Sequence, residues 1–203
     1  MANVAGYFGF AQWGTASGPV NFASAGNPPY RISASYGTAV FFGDAVRMNS
    51  SGPTGYIEQW ANGDGGTATR ILVGIFLGCR YYSTSQQKTI WRNYWPGSDA
   101  TGDVEAFVCD DPNSFWKVQA NAGPITQAAI GQTADVAATP TGNTTTGISG
   151  MSLATPTTTN TLPFKVVNII NSPPGANGTD PTTAYNYVIV GFNNQQYKAL
   201  LGV

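Results

Sequence analysis

The sequence predicts an all-β fold, an antiparallel β-barrel or sandwich of jelly-roll-like type, and three observations lead there. Short β-compatible runs recur between turns, with 25 Gly and 13 Pro spread over 203 residues. A single segment argues for helix. Aromatic residues make up 12% of the chain, enough for a packed interior, while charged residues make up only 9%, against about 25% in ordinary soluble proteins. Polarity therefore comes from Thr, Ser, Asn, Gln and Gly rather than from charge.

The elements follow in order. Met1–Pro29 has no charged residue and scatters Tyr7, Phe8, Phe10, Trp13 and Phe22 among Gly, Ala and Ser. No strand or helix period runs through it. It reads as an extended N-terminal arm whose rings dock on something, such as another subunit, because free rings are a solubility cost. A single β domain then spans residues 30–203. Arg31–Tyr36, Thr38–Phe42, Ala45–Met48 and Tyr56–Trp60 are strand candidates, the last closed by the turn Asn62-Gly63-Asp64-Gly65-Gly66. Arg70–Tyr82 reads RILVGIFLGCRYY, too continuous for a one-sided strand, so burial on both faces is expected. Gly74 and Gly78 within it mark a bulge or a close backbone approach.

Thr89–Trp95 stops at Pro96-Gly97, and Val104–Cys109 ends at Asp110-Asp111-Pro112. Ser114–Gln119 alternates Trp116 and Val118 with Lys117 and Gln119. One short helix is expected near 124–130, with Pro124 at its start and Gly131 past its end. Between Asp135 and Lys165 lie 29 uncharged residues, ten of them Thr. Ile148, Met151 and Leu153 interrupt this Thr-rich loop (136–163), which favours an ordered surface loop or short pairing over a mobile linker. Phe164–Ile170 and Tyr185–Phe192 close the domain, for roughly nine to eleven strands in all.

Composition excludes several functions. Nine basic residues and a net charge of −1 cannot neutralise a long phosphate backbone, so no nucleic-acid partner is expected. The chain has no His, which removes His-based triads, His-ligated metals and imidazole acid–base chemistry. No apolar run approaches a membrane span and the N-terminus lacks a signal-peptide pattern, so no membrane partner is expected. Cys79 and Cys109 lie in apolar runs and read as buried thiols.

The acids Asp99, Asp103, Glu105, Asp110 and Asp111 cluster in sequence. Two carboxylates beside Trp91, Tyr94 and Trp95 would suit a glycosidase, and clustered carboxylates a calcium ion. Their setting in Pro-Gly-Ser-Asp and Asp-Asp-Pro, however, is that of turn formers. The sequence thus predicts no enzyme, no cofactor and no metal. Aromatics on a charge-poor chain suit a permanently assembled subunit, since charges are depleted and Tyr and Trp enriched at interface cores.

Tyr30–Val46 (YRISASYGTAVFFGDAV), Ile71–Tyr82 (ILVGIFLGCRYY), Asn93–Gly97 (NYWPG), Val104–Gln119 (VEAFVCDDPNSFWKVQ), Ile130–Val136 (IGQTADV) and Thr144–Leu153 (TTTGISGMSL) follow in an order that resembles the head decoration, or cement, proteins of tailed bacteriophages. The resemblance covers about Tyr30 to Phe192 and brings no catalytic residue. It implies a virion protein, made in the host cytoplasm, on the capsid exterior. There it would brace contacts between major capsid protein subunits and contact other copies of itself, as a trimer or alternatively a dimer. Tyr7, Phe8, Phe10, Trp13 and Phe22 are then the candidate subunit contacts. The alternative is a glycan-binding module for host attachment, with Trp91, Tyr94 and Trp95 as the stacking residues.

Overall fold

A computed structural model of the chain describes residues 2–15, 30–49, 55–66, 70–137 and 142–198. Among these, eleven strands form: β1 (Ala11–Thr15), β2 (Tyr30–Ile32), β3 (Ala45–Met48), β4 (Ile57–Gln59), β5 (Leu72–Ser83), β6 (Lys88–Arg92), β7 (Val104–Cys109), β8 (Ser114–Gln119), β9 (Thr133–Ala134), β10 (Phe164–Ile169) and β11 (Tyr187–Phe192). They build two antiparallel sheets, one in the order β1-β8-β11-β10-β9 and the other β2-β7-β5-β3-β4, with β6 also on β5. The fold is a sandwich and not a closed barrel, since each sheet keeps two edges.

Between the sheets, Leu72, Ile75 and Cys109 of one meet Trp116, Val118, Phe164, Val166, Val188, Val190 and Phe192 of the other. The second sheet is buried on its other face as well. There Ile32, Val46, Val73, Phe76, Cys79, Val104, Ala106 and Val108 pack with Val40 and Trp95 from the connecting loops. Two layers of apolar packing on one sheet explain why the β5 sequence is continuously apolar rather than alternating.

β5 keeps its faces straight by two irregularities. Its pairing with β3 slips at Val73, and its pairing with β7 slips between Phe76 and Gly78. Residues three apart, Leu72 with Ile75 and Val73 with Phe76, therefore share a face. A Cβ on Gly74 would lie 2.8 Å from the Cys109 carbonyl carbon, so the expected close approach occurs there. The surplus Val73 carbonyl accepts from Gln195 Nε2 at 2.9 Å, and the same amide reaches Asp110 O at 3.0 Å.

Part of the expected arm belongs to the domain. β1 pairs with β8 as an edge strand, with an irregularity at Trp13, and Phe10 stacks on Phe164 at 4.3 Å inside the core. Upstream, Asn3 Nδ2 donates to Asp180 O at 2.9 Å, and the Gly178 amide donates to Asn3 Oδ1 at 2.8 Å. Residues 16–29, Phe22 among them, lie outside the described residues.

The helix expected near 124–130 reduces to one 3-10 turn, Gln127–Ala129. The Asn186 side chain accepts from Ile125 N (3.0 Å) and donates to Ile125 O (2.9 Å), taking the carbonyl that a helix starting near 124 would use for its first hydrogen bonds. Thr38–Phe42 forms no strand, only the bridges Val40–Trp95 and Phe42–Ile148. The Thr-rich loop pairs at Thr133–Thr157, Val136–Leu153 and Asn143–Ile148 and buries Met151 and Leu153 completely.

Candidate functional site

The acidic cluster is dispersed into structural tasks. Asp99 closes the β5–β6 hairpin, accepting from Ser83 Oγ (2.8 Å), Thr84 Oγ1 (3.0 Å) and Ser85 N (3.0 Å). Burial is the largest single influence and disfavours the ionised carboxylate, but the hydrogen bonds from Ser83, Ser85 and Thr84 together outweigh it and hold the carboxyl at about 2. Asp103 accepts from Tyr56 Oη at 2.8 Å and faces Arg31 at 3.6 Å. Glu105 is held by Arg80 at 2.6 Å, and Asp110 accepts from Tyr30 Oη at 2.7 Å. Asp111 caps its own turn through Asn113 N at 2.9 Å. Among the described residues no three His, Cys, Asp or Glu side chains could share a metal ion. Cys79 and Cys109 are free and buried, and burial pushes the Cys79 thiol up to about 12.

Trp91, Tyr94 and Trp95 do not form one platform. Trp91 is 65% exposed on β6. Trp95 is fully buried, donating Nε1–H to Tyr36 O at 3.0 Å and meeting Tyr81 edge-on. Tyr94 lies half-buried beneath Phe41, the rings 5.5 Å apart and 9° from parallel. The strand ends at Arg92, and the turn after it breaks the alternation that would have put the rings on one side.

The arm rings divide similarly. Phe10 is core. Tyr7 meets Tyr185, and Phe8 meets Tyr187 with the Lys117 ammonium 5.1 Å from the Phe8 ring. Trp13 is 54% exposed.

Tyr7 and Phe8, from one of the two long uncharged stretches of the sequence (1–29 and 136–164), join the other on a single surface. Asn143 opens a tight loop by accepting from Thr145 N (2.8 Å) and Thr146 N (3.2 Å) through Oδ1. Phe42 grips that loop: its N donates to Gly147 O at 3.0 Å, and its O accepts from Ser149 N at 2.9 Å. The arm lies on the same connector, Phe10 N donating to Gly43 O at 2.9 Å. Gly9 is needed at this crossing: its φ is +69°, and a Cβ there would lie 2.6 Å from Gly43 O and from Ser149 Oγ.

The arm, the Phe41–Asp44 connector and the Thr-rich loop thus form one brace. Its outer surface carries Phe42 (39% exposed) and Ile148 (40%). An open groove of about 390 Å³ runs between Tyr7, Phe8, Asn143, Thr146 and Ile148. None of these residues is charged. A larger groove, about 490 Å³ beside Pro124, Ile169 and Pro181, also lacks any charged side chain.

Beneath the brace Asp44 is completely buried. Its Oδ2 accepts from Phe41 N (2.8 Å) and Gln59 Nε2 (2.7 Å), while Oδ1 makes no hydrogen bond of ordinary geometry. Burial raises its carboxyl from the ordinary 3.8 to about 6, against the pull of the Phe41 amide, the nearby Ser149 hydroxyl and Gln59. The only sequence signal for Phe42 was its place beside Phe41: the chain buries Phe41 and leaves Phe42 outside. Ile148 offered none beyond its isolation among polar residues.

No protein-family model, curated protein or solved structure matches the chain.

Proposed function

We propose that the chain is a structural virion protein, a decoration or cement protein that binds the outside of an assembled phage head and braces neighbouring major capsid protein subunits. The observation that supports it most is the convergence of two uncharged segments, far apart in sequence, on the Phe41–Asp44 connector, into one surface edged by Tyr7, Phe8, Phe42 and Ile148. Apolar and aromatic groups without charge, held by backbone hydrogen bonds, lose little entropy on docking and suit an interface core. The ordered motifs resembling decoration proteins point the same way. Copies would gather at local symmetry axes of the shell, three at a threefold. A protein that binds only the assembled lattice stabilises it by mass action, and many copies need only modest affinity each.

The test is co-purification with intact particles at a fixed stoichiometry, for the unaltered chain and for Phe42→Ser/Ile148→Ser. Both side chains are outside the core, so folding should survive. Occupancy falling at least tenfold in the double variant supports the proposal. Absence of the chain from particles overturns it, and full occupancy of the double variant removes the brace as the binding surface. Deleting residues 1–29 would be a poor substitute, because it also removes Phe10 from the core and β1 from its sheet.

A further inference from the structure

We propose that the exposed face of the second sheet around Trp91 is a subsite for a neutral saccharide, with the indole under the C–H face of a pyranose ring and the Arg80–Glu105 pair on its hydroxyls. The proposal is independent of capsid binding.

The site is built by strand register. Trp91 on β6 stands opposite Arg80 on β5, Arg80 opposite Glu105 on β7, and Glu105 opposite Arg31 on β2. Directly paired residues share a face, so the four side chains form one row of about 14 Å. This is the face the other sheet covers at Leu72 and Ile75. At Arg80, Tyr82 and Trp91 it is open, with Tyr82 46% exposed.

Trp91 is the most exposed large apolar side chain among the described residues, at 65%. It is nevertheless fixed in place. Phe107 lies 5.3 Å away and 8° from parallel, and the Arg80 guanidinium carbon is 5.1 Å from the ring. A ring supported by neighbours and left open to solvent is a preorganised stacking surface.

Charge selects the ligand. Arg80 donates to Glu105 Oε2 through Nε at 2.7 Å and approaches it through Nη2 at 2.6 Å, while Arg31 faces Asp103. Each cation in the row already has its carboxylate, which leaves no free positive charge for phosphate or sulfate. What remains is a planar donor–acceptor pair beside an aromatic ring. Planar polar groups match the vicinal hydroxyls of a sugar, and the ring matches its apolar face. One such subsite binds weakly, and display of many copies would raise the avidity.

Isothermal titration calorimetry can test this, because its signal does not depend on the indole that the Trp91 variants remove. With Trp60, Trp95 and Trp116 fully buried and Trp13 replaced, a fluorescence shift of the chain that keeps Trp91 locates the site. In a Trp13→Phe background, cellohexaose, chitohexaose and a mannose hexamer are titrated, with dextran sulfate as the anionic probe. The expected result is saturable calorimetric binding of at least one neutral hexamer, weakened tenfold or more by Trp91→Ala or Arg80→Met and largely kept by Trp91→Phe. Three results would overturn it: no response to any neutral hexamer, unchanged binding by Trp91→Ala, or dextran sulfate binding more tightly than every neutral probe. Loss of self-association in Trp91→Ala by sedimentation, without any saccharide response, would instead assign the ring to a contact between protein copies and also overturn it.

Discussion

The brace and the Trp91 face both expose aromatic rings on a chain with 9% charged residues, yet they are held in opposite ways. The brace is made of an arm, a connector and a loop, pinned from below by Phe10 and Asp44. The Trp91 face is made of paired strands, with its charges neutralised side by side. A loop surface depends on what is buried under it, whereas a sheet surface depends on its register. Exposed rings on the first should fail with the core, and those on the second should tolerate surface changes.

Phe10→Ala is the strongest way to break this contrast. It deletes a buried ring that stacks on Phe164 and should cost about 3–5 kcal/mol. Hydrogen exchange should show the amides of Phe10, Phe42 and Ser149 opening well before those of β6. Equal loss of protection in β6 would mean that the two surfaces are not separable.

Asp44 comes next and sets the sign of the pH response. Its carboxyl is raised in the folded state, from 3.8 to about 6. The fold's preference for the protonated form is therefore fully expressed below about pH 4 and lost as pH rises through 6. Asp44→Asn should stabilise the protein at pH 7.5 by up to about 3 kcal/mol and leave it nearly unchanged at pH 4. Asn suits the site because a single amide oxygen can accept from both Phe41 N and Gln59 Nε2, as Oδ2 does now. Denaturant unfolding at the two pH values measures it, and an equal effect at both would rule out titration of Asp44. Asp99, behind the Trp91 hairpin, runs the other way: its carboxyl is lowered to about 2, so its stabilisation is lost only as pH falls from 3.8 through 2. Between pH 7 and 4 the brace should tighten while the hairpin stays unchanged.

The smallest effect is expected of Trp91→Ala, within about 1 kcal/mol in stability. A larger loss would mean that the ring is a structural cover for Phe107 rather than a ligand surface. Thermal unfolding decides it.

Much of the fold could be read from residue alternation. β3, β7 and β8 coincide with the expected runs, and the uninterrupted β5 sequence announced burial on both faces. β1 escaped because Gly14 and the irregularity at Trp13 erase its period, and β9 has only two residues. The helix near 124–130 failed because a distant Asn186 competes for its backbone, which local sequence does not show. The candidate sites were less legible. Trp91 and Trp95 differ by an even number of residues and look like one face, until the strand ends between them. The brace joins residues about 30 and 100 apart, a proximity that only the folded chain creates.

The hydrogen bonds of Asn3 bear on the order of synthesis. Its side chain and backbone find their partners at Gly178, Asp180 and Thr183, so the segment at residue 3 must wait for the segment near residue 180. The Val73 carbonyl likewise waits for Gln195. Such distant closures fold slowly and late. Tyr7 and Phe8, which meet Tyr185 and Tyr187, therefore cannot reach their places in the brace before those residues have been made. If the brace is the docking surface proposed above, its late completion would protect nascent chains from gathering prematurely on a polysome.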